Sequence, residues 1–253
     1  MKLITLNAWG GKLYEPLIKF IKDNKDVDFF CLQDVLFGDE PVFSPIKGGR
    51  MNLCKEIEKI LTDHERIISR EENHSFMEGE VLPANVGSGK VIFYKKNFKL
   101  VQHGGFDVSD TNLTDTMISS QCQWGEFDTC STHLTILNLH GMWQKDSKKQ
   151  DTEERLEQSR RISQFMKGVS GPKILVGDFN IVPDGKSIAI LEEGMINLIK
   201  EHKIETTRNS YYTRGGKFAD YIIISKEVGV NDFKTLPDEV SDHLALYLDF
   251  SLT

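Results

Sequence analysis

Apolar side chains recur along this chain at two spacings, every second residue or every third to fourth, and the switches between them divide it into strands and helices. "KLITLNAW" alternates apolar and polar positions and then meets Gly10-Gly11, which predicts a strand followed by a turn. Leu13, Leu17, Phe20 and Ile21 follow at helical spacing behind Pro16, a residue well tolerated in a first turn. "VDFFCLQ" is the next strand, and "NLCKEIEKILTD" is a second helix with Leu53, Ile57, Ile60 and Leu61 on one face. Strand patterns then dominate: "RIIS", "KVIFYKK", "FKLVQHG" and "HLTILNLHG", with further strands expected around Ile118 and Phe127. Helical spacing returns between Asp151 and Gly168, where Asp151 and Glu154 form a capping-box pair, Leu156, Ser159, Ile162, Phe165 and Met166 make the stripe, and Gly168 ends it. "KILVGDFN", a short helix over "KSIAILEEG", and the strands "FADYIIIS", "VNDFKTL" and "HLALYLDF" complete the chain. Strands outnumber helices without strict βαβα alternation, so the pattern predicts a mixed α/β (α+β) fold with mostly antiparallel pairing.

A length of 253 residues fits one domain over 1–253. With 39% apolar and 27% charged residues and no repeat or low-complexity tract, the composition is that of a soluble globular protein, expected to be a monomer. The longest apolar runs are strand-sized, and the amino terminus reaches Asn7 before it forms a signal-peptide core, so a cytoplasmic location is expected. Cys31, Cys54, Cys122 and Cys130 have neither CxxC pairing nor zinc spacing, which fits a reduced compartment. A formal net charge of −7 opposes tight, sequence-indifferent binding to a polyanion and leaves only a local basic groove for it.

The strands end in an unusual way. "LITLN" closes on Asn7, "FFCLQD" on Asp34, "LTILNLH" on Asn138 and His140, and "KILVGDFN" on Asp178 and Asn180. "KFAD" opens a strand with Asp220, and "EVSDH" places Asp242 and His243 just before the last one. Any one of these residues, taken alone, is more often a turn or helix cap. As a set they supply what phosphodiester hydrolysis needs: oxygen ligands for a hard divalent cation, a base for water, and donors for phosphate oxygens.

"ITLNAWGG", "CLQDV", "LNLHG", "ILVGDFNIVPD", "FADYIIIS" and "VSDHLALYL", in that order across nearly the whole chain, resemble the endonuclease/exonuclease/phosphatase superfamily with its deoxyribonuclease-I-like fold. The resemblance implies a four-layer α/β/β/α sandwich of two mixed, mainly antiparallel sheets. It says less about substrate, because members cleave DNA, RNA, sphingomyelin, inositol phosphates and protein-DNA adducts.

The same resemblance implies roles. Asp34 would be a principal Mg²⁺ ligand, with Mn²⁺ as a substitute, and Asn7 and Asp242 would stand beside the metal. Asp178 would orient and deprotonate the attacking water, and Asn180 would hold that water or a phosphate oxygen. His243 would touch the scissile phosphate, Asp220 would fix its tautomer, and Asn138 and His140 would donate to the phosphate. Inversion at phosphorus without a covalent intermediate follows. One position departs from the pattern: the family favours Glu where this chain has Asp34, and the lost methylene withdraws the carboxylate by roughly 1.5 Å from a metal contact of ~2.1 Å. A bridging water, an inward shift of the strand end, or an impaired metal site would each accommodate it.

Three functions follow. The first is a Mg²⁺-dependent phosphodiesterase acting on nucleic acid. The second is a phosphatase or phosphodiesterase for a small or lipid phosphoester, and the third is a weakened or inactive binding module. No hydrophobic hairpin or basic amphipathic helix argues for stable membrane association. Trp9, Trp143, Tyr211 and Tyr212 are candidates to stack on bases, and Arg208, Arg214 and Lys217 to hold flanking phosphates. Lys145, Lys148 and Lys149 lie among acidic residues and read as a solvated loop, and "VGSGK" lacks P-loop spacing.

Overall fold

Two six-stranded sheets face each other in the computed structural model, which describes residues 1–44, 47–70, 76–77, 80–83, 85–109, 121–144 and 148–253. The strand expected near Ile118, and Lys145, lie outside the described residues. The strands in chain order are β1 (Lys2–Asn7), β2 (Phe29–Phe37), β3 (His64–Arg70), β4 (Phe76–Met77), β5 (Glu80–Val81), β6 (Gly87–Lys95) and β7 (Lys99–Asp107). They continue with β8 (Gln121–Asp128), β9 (His133–His140), β10 (Lys173–Asp178), β11 (Ile196–Asn197), β12 (Asp220–Ile224), β13 (Val228–Thr235) and β14 (Leu246–Leu252). One sheet runs β13-β14-β1-β2-β6-β3 and the other β11-β12-β10-β9-β8-β7, while β4 and β5 pair separately. Pairing is antiparallel except in the centre of each sheet, where β1 lies parallel to β2 and β9 to β10. Gly87 to Lys90 of "VGSGK" form the start of β6.

The helices are α1 (Tyr14–Asp23), α2 (Leu53–Ile60), α3 (Glu153–Gly168), α4 (Lys186–Leu191) and α5 (Leu198–Glu201). Alternation within the strands decides which layer each side chain joins. Leu3, Phe29, Cys31 and Leu248 of the first sheet pack with Phe127, Ile136, Val176 and Ile222 of the second. Their neighbours Ile4, Leu6, Phe30, Leu32 and Phe93 turn the other way and bury against Leu17, Phe20 and Ile21 of α1 and Leu53 and Ile57 of α2. The apolar stripe of α3, Ile162 and Met166, joins the core around the second sheet. Among the described residues no helix is long and apolar enough to cross a membrane.

One local expectation changes. Thr152, not Asp151, caps α3, its hydroxyl accepting from Arg155 N at 3.3 Å. Asp151 turns its carboxylate to the first turn of α4, accepting from Lys186 N at 2.6 Å and Ser187 N at 3.0 Å. An acid beside exposed helix N–H groups is favoured in either place, and the tertiary fold selects the second.

Candidate active site

The inward-facing runs Leu3–Thr5–Asn7, Ile136–Asn138–His140 and Ile174–Val176–Asp178 start among core side chains and end in polar ones. Pairing sets these ends side by side: His140 opposite Asp178, and Asp178 opposite Asp220. Gly177, with φ 131°, permits this closeness, because a Cβ there would sit 2.0 Å from the Leu139 carbonyl oxygen. Gly141 is required just beyond, where a Cβ would meet Phe179 O at 2.3 Å.

Asp178 is the hub, 2% exposed. Its Oδ2 accepts from Asn7 Nδ2 at 3.0 Å across the sheets, and its Oδ1 accepts from the backbone N–H of Asn180 at 3.0 Å. Asn180, at φ 53°, directs its amide to Gly141 O at 3.3 Å. Two imidazoles stand beside Asp178 Oδ2, His243 Nε2 at 3.6 Å and His140 Nε2 at 3.9 Å, spacings beyond a direct hydrogen bond.

His243 is held from behind. Its Nδ1 lies 2.8 and 2.9 Å from the two oxygens of Asp220, so Nδ1 carries the proton and Nε2 presents a lone pair to the cleft. Burial, reinforced by the nearby Arg208 charge, pushes the imidazole down to about 3. Burial likewise pushes Asp220 up to about 6, against the pull of Arg208. At neutral pH both effects leave a neutral imidazole bonded to a carboxylate. Asp242 lies 3.7 Å from His243 Nε2, while its other oxygen accepts from Arg208 Nη1 at 3.0 Å.

Asp34 answers the oddity of "FFCLQD". β2 carries a register shift between Leu32 and Val35, and Asp34 sits there at φ 53°. Without the bulge it would follow Leu32 to the helix-covered face; with it, its Oδ1 comes within 4.0 Å of His140 Nδ1. Asp178, Asp220 and His243 have ligand atoms within 4.8 Å of one another and form a group able to hold a metal ion. Asp220 and His243 are bonded to each other through Nδ1, and Asn7 Oδ1 accepts from Trp9 N at 2.9 Å. Carboxylate oxygens such as those of Asp178 suit a hard divalent cation.

A family model described as endonuclease/exonuclease/phosphatase matches residues 4–243. The chain belongs to that family. Among solved structures, a mannosyl-6-phosphatase from Bacteroides thetaiotaomicron VPI-5482 shares 18% identity and a TM-score of 0.71, with 100% of each chain covered. The human Nocturnin catalytic domain with bound sulfate shares 18% identity and a TM-score of 0.68, covering 100% of this chain and 93% of that one. Humanized D. rerio TDP2 shares 15% identity and a TM-score of 0.71, covering 99% of this chain and 98% of that one. No curated protein sequence matches the chain. These likenesses establish the four-layer fold of this family of phosphoester hydrolases.

Two residues expected at phosphate, Asn138 from the family pattern and Arg208 from its place near the Asp220 strand, lie elsewhere. Asn138 is fully buried between the sheets: its Oδ1 accepts from Gln33 Nε2 at 2.7 Å, and its Nδ2 reaches Leu32 O, Val91 O and Gln123 Oε1 at 3.1 to 3.3 Å. It ties the two sheets together, a use that satisfies every group a buried amide must pair. Arg208, expected at a flanking phosphate, is instead buried on Asp242, with its guanidinium 4.0 Å from the Tyr212 ring centroid. Tyr212 also has Lys149 Nζ at 5.2 Å, Trp143 has Arg214 at 5.8 Å and Trp9 has Lys12 at 4.2 Å, so three of the four rings expected to stack on bases carry cation contacts. Tyr211 is exposed.

The sequence also concealed three contributors. Thr207 is fully buried, and its Oγ1 accepts from the backbone of Ala219 at 3.0 Å and Asp220 at 3.2 Å, which fixes the start of β12. Arg155, 1% exposed, donates to Gln150 O at 2.5 Å and Met142 O at 3.3 Å and so holds the segment after β9. Lys149 is 9% exposed where a solvated loop was expected, although Lys148 beside it is exposed as predicted. Isolated polar and charged residues carry no periodic signal, so none of these was legible.

Proposed function

We propose that this chain is a divalent-metal-dependent phosphodiesterase that hydrolyses nucleic acid by in-line attack of water. The observation that carries the reading is the convergence on Asp178: an amide and two imidazoles from three other segments, with a backbone N–H from its own, surround one buried carboxylate. Asp178 orients the water and takes its proton, a contribution of ~10²–10⁴ in rate. His243, oriented by Asp220, steers the water or the phosphate, and His140 donates to a non-bridging oxygen. Asn180 holds the water or an oxygen of the ester. Asp34 and Asn7 would hold Mg²⁺ or Mn²⁺, with Asp242 nearby, and the ion would neutralise charge on the phosphoryl oxygens. The product is inverted at phosphorus.

A small phosphoester is the second reading. The net charge of −7 and the fold match to a mannosyl-6-phosphatase favour it. A panel of oligonucleotides, bis(p-nitrophenyl) phosphate and hexose 6-phosphates, assayed with Mg²⁺, Mn²⁺ and a chelator, separates them. Chelator-blocked cleavage of oligonucleotides supports the first; phosphate release from monoesters with oligonucleotides untouched supports the second. No turnover of any ester contradicts both.

A further inference from the structure

Lys149 has no place in the roles assigned so far, yet its position is that of a working residue. Its Nζ donates to Phe218 O at 2.9 Å, two residues before Asp220, and its own carbonyl accepts from Val182 N at 3.2 Å. Side chain and backbone of this residue together therefore bridge the segment before Asp220 and the segment after Asp178. Asp178, Asp220 and Asp242 all act on its charge. Among the described residues none of them forms a direct ion pair with it, and the carbonyl of Phe218 and the face of Tyr212 are its recorded partners.

Burying an ammonium without a carboxylate in contact is costly, because the charge loses its hydration and gains no counter-charge. Lys149 also holds φ 63°, a left-handed conformation that β-carbon sterics disfavour. Among the described residues eight other than glycine have positive φ, and Trp9, Asp34, Lys149 and Asn180 are four of them. Strain of this kind concentrates where the surroundings over-determine a side chain's position, as at ligand sites.

The charge around the cleft explains what such a cation is for. Asp34, Asp178, Asp220 and Asp242 bring four carboxylates to a site that must accept an anion, and Arg208 is bonded to one of them. Two N–H groups of the Lys149 ammonium remain after its bond to Phe218 O and are available to an anionic oxygen. We infer that Lys149 is a further catalytic residue, its ammonium binding a non-bridging oxygen of the phosphoester at Asp178 and stabilising the charge that grows on it.

This assignment rests on the phosphoesterase reading above, and the experiment separates the two. The full chain is assayed with Mg²⁺ on bis(p-nitrophenyl) phosphate as wild type, Lys149→Met, Lys149→Ala and Lys149→Arg, while unfolding temperature and inorganic phosphate binding by calorimetry are measured in parallel. A contact that strengthens in the transition state predicts a kcat loss of ~10²-fold in Lys149→Met, with KM changed by less than about threefold. It also predicts phosphate binding weakened by roughly tenfold, an unfolding temperature no lower than wild type, and partial recovery of Lys149→Ala by added ethylammonium. Lys149→Arg, which keeps the charge, retains intermediate activity.

A Lys149→Met enzyme with wild-type kcat and phosphate affinity overturns the assignment and leaves the phosphoesterase reading intact. So does a loss of activity that follows a lowered unfolding temperature and gains nothing from the amine. A wild-type chain that hydrolyses no phosphoester overturns the reading, and the assignment falls with it.

Discussion

His243 Nδ1 lies 2.8 Å from Asp220 Oδ1, although 23 residues separate them in the chain. Thr207 makes the meeting possible: its carbonyl accepts from Leu244 N at 2.9 Å, and its hydroxyl accepts from Ala219 N and Asp220 N. One buried threonine thus fixes both partners, and the imidazole has a single orientation, with Nε2 toward Asp178. Replacing Asp220 by Asn weakens the bond that sets this tautomer. Turnover in Asp220→Asn should fall about 10- to 100-fold with the fold retained, measured as kcat alongside circular dichroism. In wild type, nitrogen chemical shifts should report His243 with Nδ1 protonated and Nε2 bare throughout the neutral range, because burial and Arg208 hold its pKa at about 3.

Asn138 marks the boundary between catalysis and architecture. Asn138→Leu removes partners from Gln33 and Gln123, and each buried polar group left unpaired costs about 1–3 kcal/mol. Urea unfolding should show a destabilisation of about 2 kcal/mol or more, while kcat per folded molecule stays within about threefold of wild type. A loss of kcat by orders of magnitude at unchanged stability would restore Asn138 to the phosphate.

Lys149 should make stability depend on pH in an unusual direction. Burial, with Arg208 adding to it, lowers its pKa from 10.5 to about 8. Between those values the unfolded chain still binds the proton that the folded chain has released, so wild-type stability rises with pH relative to a variant lacking the amine. In chelator, Lys149→Met should be the more stable protein at pH 7. The gap should narrow by up to roughly 3 kcal/mol as pH climbs from about 8 past 10. Chemical denaturation of both proteins at each pH measures it.

The shorter acid at position 34 sets a metal prediction. Asp34→Glu extends the carboxylate by roughly 1.5 Å from a bulge already at φ 53°. Half-maximal rate should then be reached at lower Mg²⁺ concentration, or the rate at limiting metal should rise. A Mg²⁺ titration that gains in neither respect means that the bulge has adapted the cleft to the shorter side chain.

Much of this was legible in the chain because two periodicities and their interruptions are local properties. Asn7, Asp178 and His140 sit where an inward-facing alternation runs out, Asp220 opens β12 and Asp242 lies in the segment before β14; order along the sequence sufficed to find them. Whether such a residue faces the cleft depends on one further step of the alternation. Asn138 lies two residues short of the strand end, still between the sheets, whereas His140 lies at it. Asp34 has the opposite history, since a single-residue bulge brings it into the cleft. Lys149, Arg155 and Thr207 were illegible because their roles come from segments that meet only after folding. A lysine among acids in a loop looks solvated until its neighbours in space are known.

If Asp178 activates water for attack on phosphorus, removing its basic oxygen must slow the chemical step itself. Asp178→Asn keeps the shape of the side chain but has one accepting oxygen for the two donors, Asn7 Nδ2 and Asn180 N–H, and it removes the base. Initial rates of oligonucleotide and bis(p-nitrophenyl) phosphate hydrolysis, wild type against Asp178→Asn at saturating Mg²⁺, test it most directly. A fall of ~10²–10⁴ in kcat is expected, with the fold retained by circular dichroism. Equal rates from the two proteins would contradict it.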